Sequence, residues 1–149
     1  MLREEVTIRP MEERDIPQIA ALERENFYPP WSEDAYREEM KNPMARVFVA
    51  ASDDTVAGYL GLRQVLDEAS INNVAVARQF RGRGLGKGLL EAALAYAGEH
   101  GAALLTLEVR ASNTPAIRLY EEYGFKRVGL RRRFYHRPTE DAILYNYYF

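Results

Sequence analysis

The stretch "RGRGLGKGLL", residues 81–90, constrains this chain more than any other part of its sequence. Glycine occupies every second position from Gly82 to Gly88, and an amphipathic helical pattern follows at once. Because glycine has no side chain, the N–H groups of such a loop can converge, and the positive end of the next helix points at them. The spacing matches neither a P-loop nor a dinucleotide-binding loop. From the residues alone two interpretations stay open: a cradle for a phosphate-like anion, or a flexible strand-to-helix connection.

The composition narrows the chemistry that the chain can perform. Its 149 residues carry a formal charge of −2, which gives no general reason to bind nucleic acid or an anionic membrane. The sequence has no cysteine, so thiolate nucleophiles and disulfides are excluded, and we expect a cytoplasmic protein. The two histidines, His100 and His136, form no zinc-binding motif, and we expect no metal. No segment has the character of a signal peptide or a membrane span.

The hydrophobic patterns predict alternating strands and helices that fold as one domain, residues 1–149. Strands are predicted at "VTIRPM", "VFVAAS", "VAGYLGLRQV", "ASINNVAV", "LLTLEV", "FKRVGLRRRFY" and "DAILYNYYF". Helices are predicted at "ERDIPQIAALERENF", at "SEDAYREEMK" after an N-cap at Ser32, at residues 84–100, and at "PAIRLYEEY" after an N-cap at Thr114. This alternation indicates an α/β fold with a mixed sheet.

Two motifs, in this order, resemble those of the GNAT acetyltransferases. In "VARQFRGRGLGKGLLEAAL", Arg81, Gly84 and Gly86 match the family's R/Q-x-x-G-x-G/A signature, and "NTPAIRLYEEYGF" matches its N-x-x-A-x-x-L-Y-x-x-x-G-F pattern. The resemblance runs from Val6 to Phe149. It implies the GNAT fold, of the α/β (α+β) class, with a mixed sheet of about seven strands, about four helices and a bulged, splayed central strand pair. It also implies acetyl-CoA as the cosubstrate.

In that family the amides of the glycine loop hold the pyrophosphate of acetyl-CoA, and a bulged strand, here "INNVAV", pairs with the pantetheine arm. The resemblance implies a cofactor-binding set of Val74, Ala75, Val76, Arg81, Gly82, Arg83, Gly84, Leu85, Gly86, Lys87, Asn113 and Tyr120. Asn113 is equally typical of a turn before the last helix.

Four further stretches, "PPWSEDAY", "LDEAS", "LEVRASN" and "EDAIL", resemble the RimI-type branch, which acetylates the N-terminal alanine of a small-subunit ribosomal protein. The chain departs from that branch at Arg81, where glutamine is frequent, and at Arg133-Phe134-Tyr135, where a tyrosine pair is common. We expect an N-α-acetyltransferase, a monomer or weak dimer, whose partner is the N-terminal peptide of a ribosomal protein. The alternatives are other protein N-termini, a small amine, or a CoA-binding sensor that transfers nothing.

Such a transfer needs a base for the attacking amine and an acid for the departing thiolate, but no acyl-enzyme. Glu108, a carboxylate in the apolar strand "LTLEVR", is the candidate base, directly or through water. From the strand alone, the role of base is no better supported than a non-catalytic role, in which Glu108 faces solvent or pairs with Arg110. Tyr120 is the candidate acid, because the resemblance assigns the tyrosine at this position to the CoA sulfur. Without the resemblance, Tyr120 is more typical of a core tyrosine.

The candidates for binding the acceptor are Trp31, Asp67, Glu68 and Tyr135. Trp31 either shapes the peptide entrance, as the resemblance implies, or packs the second helix onto the core. The two acidic residues either solvate the end of a hairpin or hold a positively charged N-terminus, and Tyr135 closes the other side of the groove. The run of arginines at 131–133 is more typical of a solvated strand face than of a site.

Overall fold

One mixed sheet organises the chain, which the computed structural model describes for residues 5–149. The strands are β1 (Thr7–Pro10), β2 (Ala45–Ser52), β3 (Thr55–Val65), β4 (Glu68–Val76), β5 (Leu104–Arg110), β6 (Lys126–Tyr135) and β7 (Glu140–Tyr148). They lie in the order β1-β2-β3-β4-β5-β7-β6, antiparallel except for the pair β4–β5. Residues 5–149 also contain four α-helices: α1 (Ile16–Asn26), α2 (Glu33–Lys41), α3 (Leu85–Glu99) and α4 (Thr114–Glu122). The predicted fold class is confirmed.

Local capping residues set the ends of the helices. The Ser32 Oγ accepts a hydrogen bond from the Ala35 N–H at 3.1 Å and so begins α2, as its N-cap position predicts. Gly101 and Gly124 follow α3 and α4 with φ of +77° and +91°. Glycine adopts this left-handed conformation without a steric penalty, so both helices stop where the sequence predicts.

The predicted N-cap of α4 is wrong by one residue. Asn113 caps this helix, with its side-chain oxygen accepting from the Ala116 N–H at 3.3 Å, and Thr114 is already helical. Asparagine caps at least as well as threonine, and Pro115 still occupies the first turn, where its missing N–H costs nothing.

The sheet opens between β4 and β5. These strands pair only from Glu68 opposite Leu104 to Ser70 opposite Thr106, and then diverge. The register between β3 and β4 shifts by one residue at Asn72, which makes a bulge two residues after the last β4–β5 pair. The predicted bulged, splayed strand pair is therefore present.

Helices pack on both faces of the sheet. One core joins α3 and α4 to the sheet, and a second core on the other face joins α1 and α2 to β2, β3 and β4. Alternate residues of β5 divide accordingly: Leu105, Leu107 and Val109 are buried in the α3/α4 core, whereas Thr106, Glu108 and Arg110 point the other way and are half-buried. No helix within residues 5–149 is long and apolar enough to span a membrane.

Candidate active site

A channel of about 290 Å³ lies between the open edge of β4 and the helices α3 and α4. Six residues of the predicted cofactor-binding set line it: Val74, Val76, Arg81, Gly86, Asn113 and Tyr120. The rest of its lining is largely apolar and comes from β3, α3 and α4. The structure therefore gathers, around one cavity, residues that are far apart in the sequence.

The glycine loop forms the outer end of this channel. Gly82 and Gly84 have φ of +79° and +77°, and a Cβ added at Gly82, Gly84 or Gly86 would meet nothing within 4 Å. The first α-helical hydrogen bond of α3 runs from the Gly88 N–H to the Gly84 carbonyl at 3.1 Å. The N–H groups of residues 85–87 precede that bond, so they are free of helical partners beside open space. This arrangement fits a pyrophosphate.

The basic residues of the loop have different surroundings. The Arg81 guanidinium donates to the Val76 carbonyl at 3.1 Å and to the Asn26 side chain at 3.2 Å. Arg81 therefore fixes the loop to the end of β4 and to α1. Arg83 and Lys87 are exposed at the start of α3.

The backbone of β4 faces the gap in the sheet. The Ala77 N–H donates to the Ala57 carbonyl of β3 at 2.7 Å. In an antiparallel pair, the N–H groups of successive residues point alternately toward the partner strand and away from it. The N–H groups of Val74 and Val76 therefore point away from β3. Ala75 differs from its neighbours, because its side chain is buried in the α1/α2 core and does not line the channel. Leu85 likewise packs against the two cores.

Tyr120 is both a core residue and a wall of the channel. It is 7% exposed, and its ring lies 5.6 Å from Phe125 and 6.4 Å from Tyr145, centroid to centroid. Burial, reinforced by the nearby Tyr135, raises the pKa of Tyr120 to about 12. The hydroxyl is therefore protonated at neutral pH and able to donate a proton.

Glu108 lies on the opposite face of the sheet from α4. Its side chain is 30% exposed, and its Oε1 lies 3.6 Å from Nη1 of Arg131 on β6. Glu108 thus faces Arg131 and not Arg110, whose guanidinium pairs with Glu140, and the three arginines of the run at 131–133 are exposed. The signal was hidden because β6 reaches β5 only across β7, a strand order that the sequence does not reveal.

Tyr135 stands beside this carboxylate. Burial raises the pKa of Tyr135 to about 12, and the negative charge of Glu108 adds to the effect. The Arg110 guanidinium carbon lies 4.5 Å from the centre of the Tyr135 ring. The structure thus brings the predicted base and the predicted groove residue together.

Arg110 is a residue of the site that the sequence did not single out. Its guanidinium donates to the carbonyls of His136 and Pro138, at 3.1 and 3.0 Å, and lies 3.3 Å from the Glu140 carboxylate. These contacts fasten the turn between β6 and β7 to the end of β5. Hydrogen bonds from Ser112 hold the pKa of the Glu140 carboxylate below its usual value, and Arg110 adds to this effect.

The loop between α1 and α2 carries Trp31, another predicted acceptor residue. Trp31 packs against Tyr36, with ring centres 5.3 Å apart, so the interpretation of Trp31 as a packing residue applies. In the same loop, Tyr28 lies under the Arg137 guanidinium of the β6–β7 turn, at 3.9 Å. This contact joins the two loops.

Asp67 and Glu68 are not brought to Glu108. Both are exposed where β4 begins, and Glu68 pairs with Leu104, four residues before Glu108. At the usual rise of a strand, four residues separate the positions of Leu104 and Glu108 by about 13 Å along β5. Glu68 nevertheless points to the same face as Glu108, by the alternation of β4 and β5.

Comparisons with known proteins agree with this geometry. A sequence model of the acetyltransferase (GNAT) family matches residues 16–125. The chain is 36% identical over 144 residues to a putative [ribosomal protein bS18]-alanine N-acetyltransferase of Bacillus subtilis, covering 96% of this chain and 95% of that protein. It is 37% identical over 142 residues to the [ribosomal protein bS18]-alanine N-acetyltransferase of Escherichia coli, covering 93% and 94%.

Solved structures give the same result. The crystal structure of the Escherichia coli enzyme superposes with a TM-score of 0.85, covering 95% of this chain and 92% of the other. Arabidopsis thaliana NAA60 in complex with acetyl-CoA shares the fold, with a TM-score of 0.86 at 21% identity and coverage of 97% and 98%. By its motifs, its splayed sheet and its relatives, the chain belongs to the acetyltransferase (GNAT) family.

Proposed function

We propose that this protein transfers the acetyl group of acetyl-CoA to the N-terminal alanine of ribosomal protein bS18. The relatives that carry this activity in their names align along nearly the whole chain, including the loops that border the groove. The observation that supports the proposal is the opening between β4 and β5: the channel lies beside it on one face of the sheet, and Glu108 of β5 points to the other face.

The channel is the cofactor side. The N–H groups of residues 85–87 would bind the pyrophosphate, and the Val74 and Val76 amides would pair with the pantetheine arm. Bound acetyl-CoA supplies an activated acetyl thioester at the opening. A backbone N–H beside the bulge at Asn72 would donate to the carbonyl oxygen as charge develops there.

The proton transfers belong to two side chains. A Glu108 carboxylate oxygen would accept the proton of the acceptor's ammonium group, directly or through water, and leave a neutral amine to attack. An α-amino group has a pKa of about 8, lower than that of a lysine side chain, so a weak base is sufficient to remove its proton. The Tyr120 hydroxyl would donate its proton to the departing sulfur.

The groove is the acceptor side. Trp31 and Tyr135 would form its walls, and the contact between Tyr28 and Arg137 would join its two sides. Glu68 and Asp67 would lie beside later residues of the acceptor, because four extended residues cover about 13 Å. A ribosomal protein with basic residues after its N-terminus suits these carboxylates.

The test is to give the purified protein acetyl-CoA and a panel of peptides that differ only in their first residue, and to locate the acetyl group by mass spectrometry. We expect α-amino acetylation of the peptide with N-terminal alanine. Acetylation only on lysine side chains or on small amines would overturn the proposed substrate, and binding of CoA without transfer to any peptide would indicate a sensor.

A further inference from the structure

The carboxylate of Glu23 is completely buried, yet it has no part in the chemistry described above. Glu23 lies on α1 and is 0% exposed. Its Oε1 accepts hydrogen bonds from the Tyr59 hydroxyl at 2.6 Å, the Asn73 side-chain amide at 2.7 Å and the Tyr36 hydroxyl at 2.9 Å. Its Oε2 accepts from the Trp31 backbone N–H at 3.1 Å.

Two of these four donors lie on the two segments between which the substrates would react, the loop before α2 and the strand β4. Trp31 carries the loop that borders the acceptor groove, and Asn73 follows the bulge of β4 at the opening of the sheet. Tyr36, another donor, also packs its ring on Trp31. One side chain therefore connects the acceptor loop to the strand that borders the cofactor channel.

Stability alone is a weak reason to bury such a group. Desolvating a carboxylate is costly, and well-packed apolar residues often serve a core as well or better. A fully hydrogen-bonded carboxylate instead fixes the positions of its donors, because each bond is directional and charge-assisted. Burial raises the pKa values of Tyr36 and Tyr59, and the charge of Glu23 adds to both effects, so the two phenols remain donors.

We infer that Glu23 is a positioning residue, which holds the Trp31 loop and the bulged strand at the separation that acetyl transfer requires. The inference rests on the proposed acetylation of a protein N-terminus. It concerns the approach of the two substrates, because the pyrophosphate loop has its own bonds from Arg81 to the Val76 carbonyl and to the Asn26 side chain.

The test compares Glu23→Gln with Asp15→Asn. Asp15 is also a buried carboxylate, 2% exposed, but it pairs with Arg9 and the Glu12 N–H beside β1. For Glu23→Gln we expect kcat/KM for the alanine peptide to fall at least about tenfold, because a small misplacement of reacting groups is costly. We expect the Kd for acetyl-CoA, measured by calorimetry, and the kinetics of Asp15→Asn to stay within about twofold of wild type.

A second pair keeps the inference testable if Glu23→Gln does not fold. Asn73→Leu and Tyr59→Phe each remove one donor from the same carboxylate oxygen, but Asn73 lies on the bulged strand itself, whereas Tyr59 lies on the neighbouring strand β3. We expect kcat to fall in Asn73→Leu and to be unchanged in Tyr59→Phe, and combining Asn73→Leu with Glu23→Gln should cost less than the two separate losses.

Equal kinetics for wild type, Glu23→Gln and Asn73→Leu, measured below their melting temperatures, would overturn the inference, as would equal losses in Asn73→Leu and Tyr59→Phe. Failure of the proposed function is a different result, because the wild-type protein itself would then not acetylate the peptide.

Discussion

At the scale of single residues, the proposed acid and base are distinguished by their surroundings. Tyr120 is buried among aromatic rings beside the channel, whereas Glu108 is partly exposed in the groove near a cation. A buried phenol keeps its proton until it is needed, whereas the carboxylate oxygens of Glu108 are partly accessible beside Arg131 and would accept one. The two groups therefore suit opposite directions of proton transfer.

Replacing Glu108 by glutamine tests the base. Glu108→Gln keeps the size of the side chain and removes its ability to accept a proton, so we expect kcat to fall about 10²- to 10³-fold. Calorimetry should show acetyl-CoA affinity at the wild-type value, because Glu108 lies outside the channel lining. A wild-type kcat in this variant would exclude Glu108 as the base.

Replacing Tyr120 by phenylalanine tests the acid through the pH dependence of the rate. The raised pKa of Tyr120, about 12, keeps its hydroxyl protonated across the usual assay range. In the wild-type enzyme we therefore expect kcat/KM to rise as the acceptor amine deprotonates near about pH 8, with no decline from Tyr120 before about pH 10. Tyr120→Phe should lower kcat at every pH without changing the shape of this profile. A wild-type kcat in Tyr120→Phe would contradict the assignment, whereas an alkaline decline below about pH 10 that disappears in the variant would show that the pKa of Tyr120 is lower than about 12.

At the scale of elements, the turn between β6 and β7 depends on one arginine of β5. Arg110 bonds two carbonyls of the turn, pairs with Glu140 and covers Tyr135. Arg110→Met keeps the aliphatic stem and removes all these bonds, so the groove wall should loosen. We expect KM for the peptide to rise about tenfold while KM for acetyl-CoA changes little, since each lost charged hydrogen bond is worth about 1.5–3 kcal/mol before relaxation.

Arg132→Met is the matched control, because Arg132 is an exposed arginine of β6. Steady-state kinetics with each substrate varied in turn distinguish the two variants. A rise of the acetyl-CoA KM in Arg110→Met would show that the turn does more than border the acceptor groove.

The elements themselves follow from the sequence more completely than their contacts do. Hydrophobic periodicity and local caps such as Ser32 predict each helix and strand to within a few residues, because these signals are local. The motifs predict the family and its fold, both of which are confirmed, and they predict the activity that the relatives' names state. The partners of Arg110, Arg131 and Glu23 could not be predicted, because strand order and packing on the sheet bring them near.

At the scale of the whole molecule, the opening of the sheet separates two tasks. The channel lies on the side of α3 and α4, and Glu108 points to the opposite side. Each side has its own core, and Leu85 at the start of α3 packs against both. Glu23 lies on the α1/α2 side, where it bonds Asn73 next to the bulge at Asn72.

Buried phenols in both cores make the stability of the molecule sensitive to alkali. Tyr36, Tyr59 and Tyr120 are nearly inaccessible, and burial raises the pKa of each above the usual value of about 10. A raised folded-state pKa stabilises the fold fully below pH 10 and progressively less above it, because the unfolded chain then releases protons that the folded chain keeps. We expect the free energy of unfolding in urea to fall from about pH 10 upward, by as much as about 1.4 kcal/mol per pH unit for each phenol. Tyr59→Phe should lessen this slope, and a free energy that stays constant from pH 9 to pH 11 would contradict it.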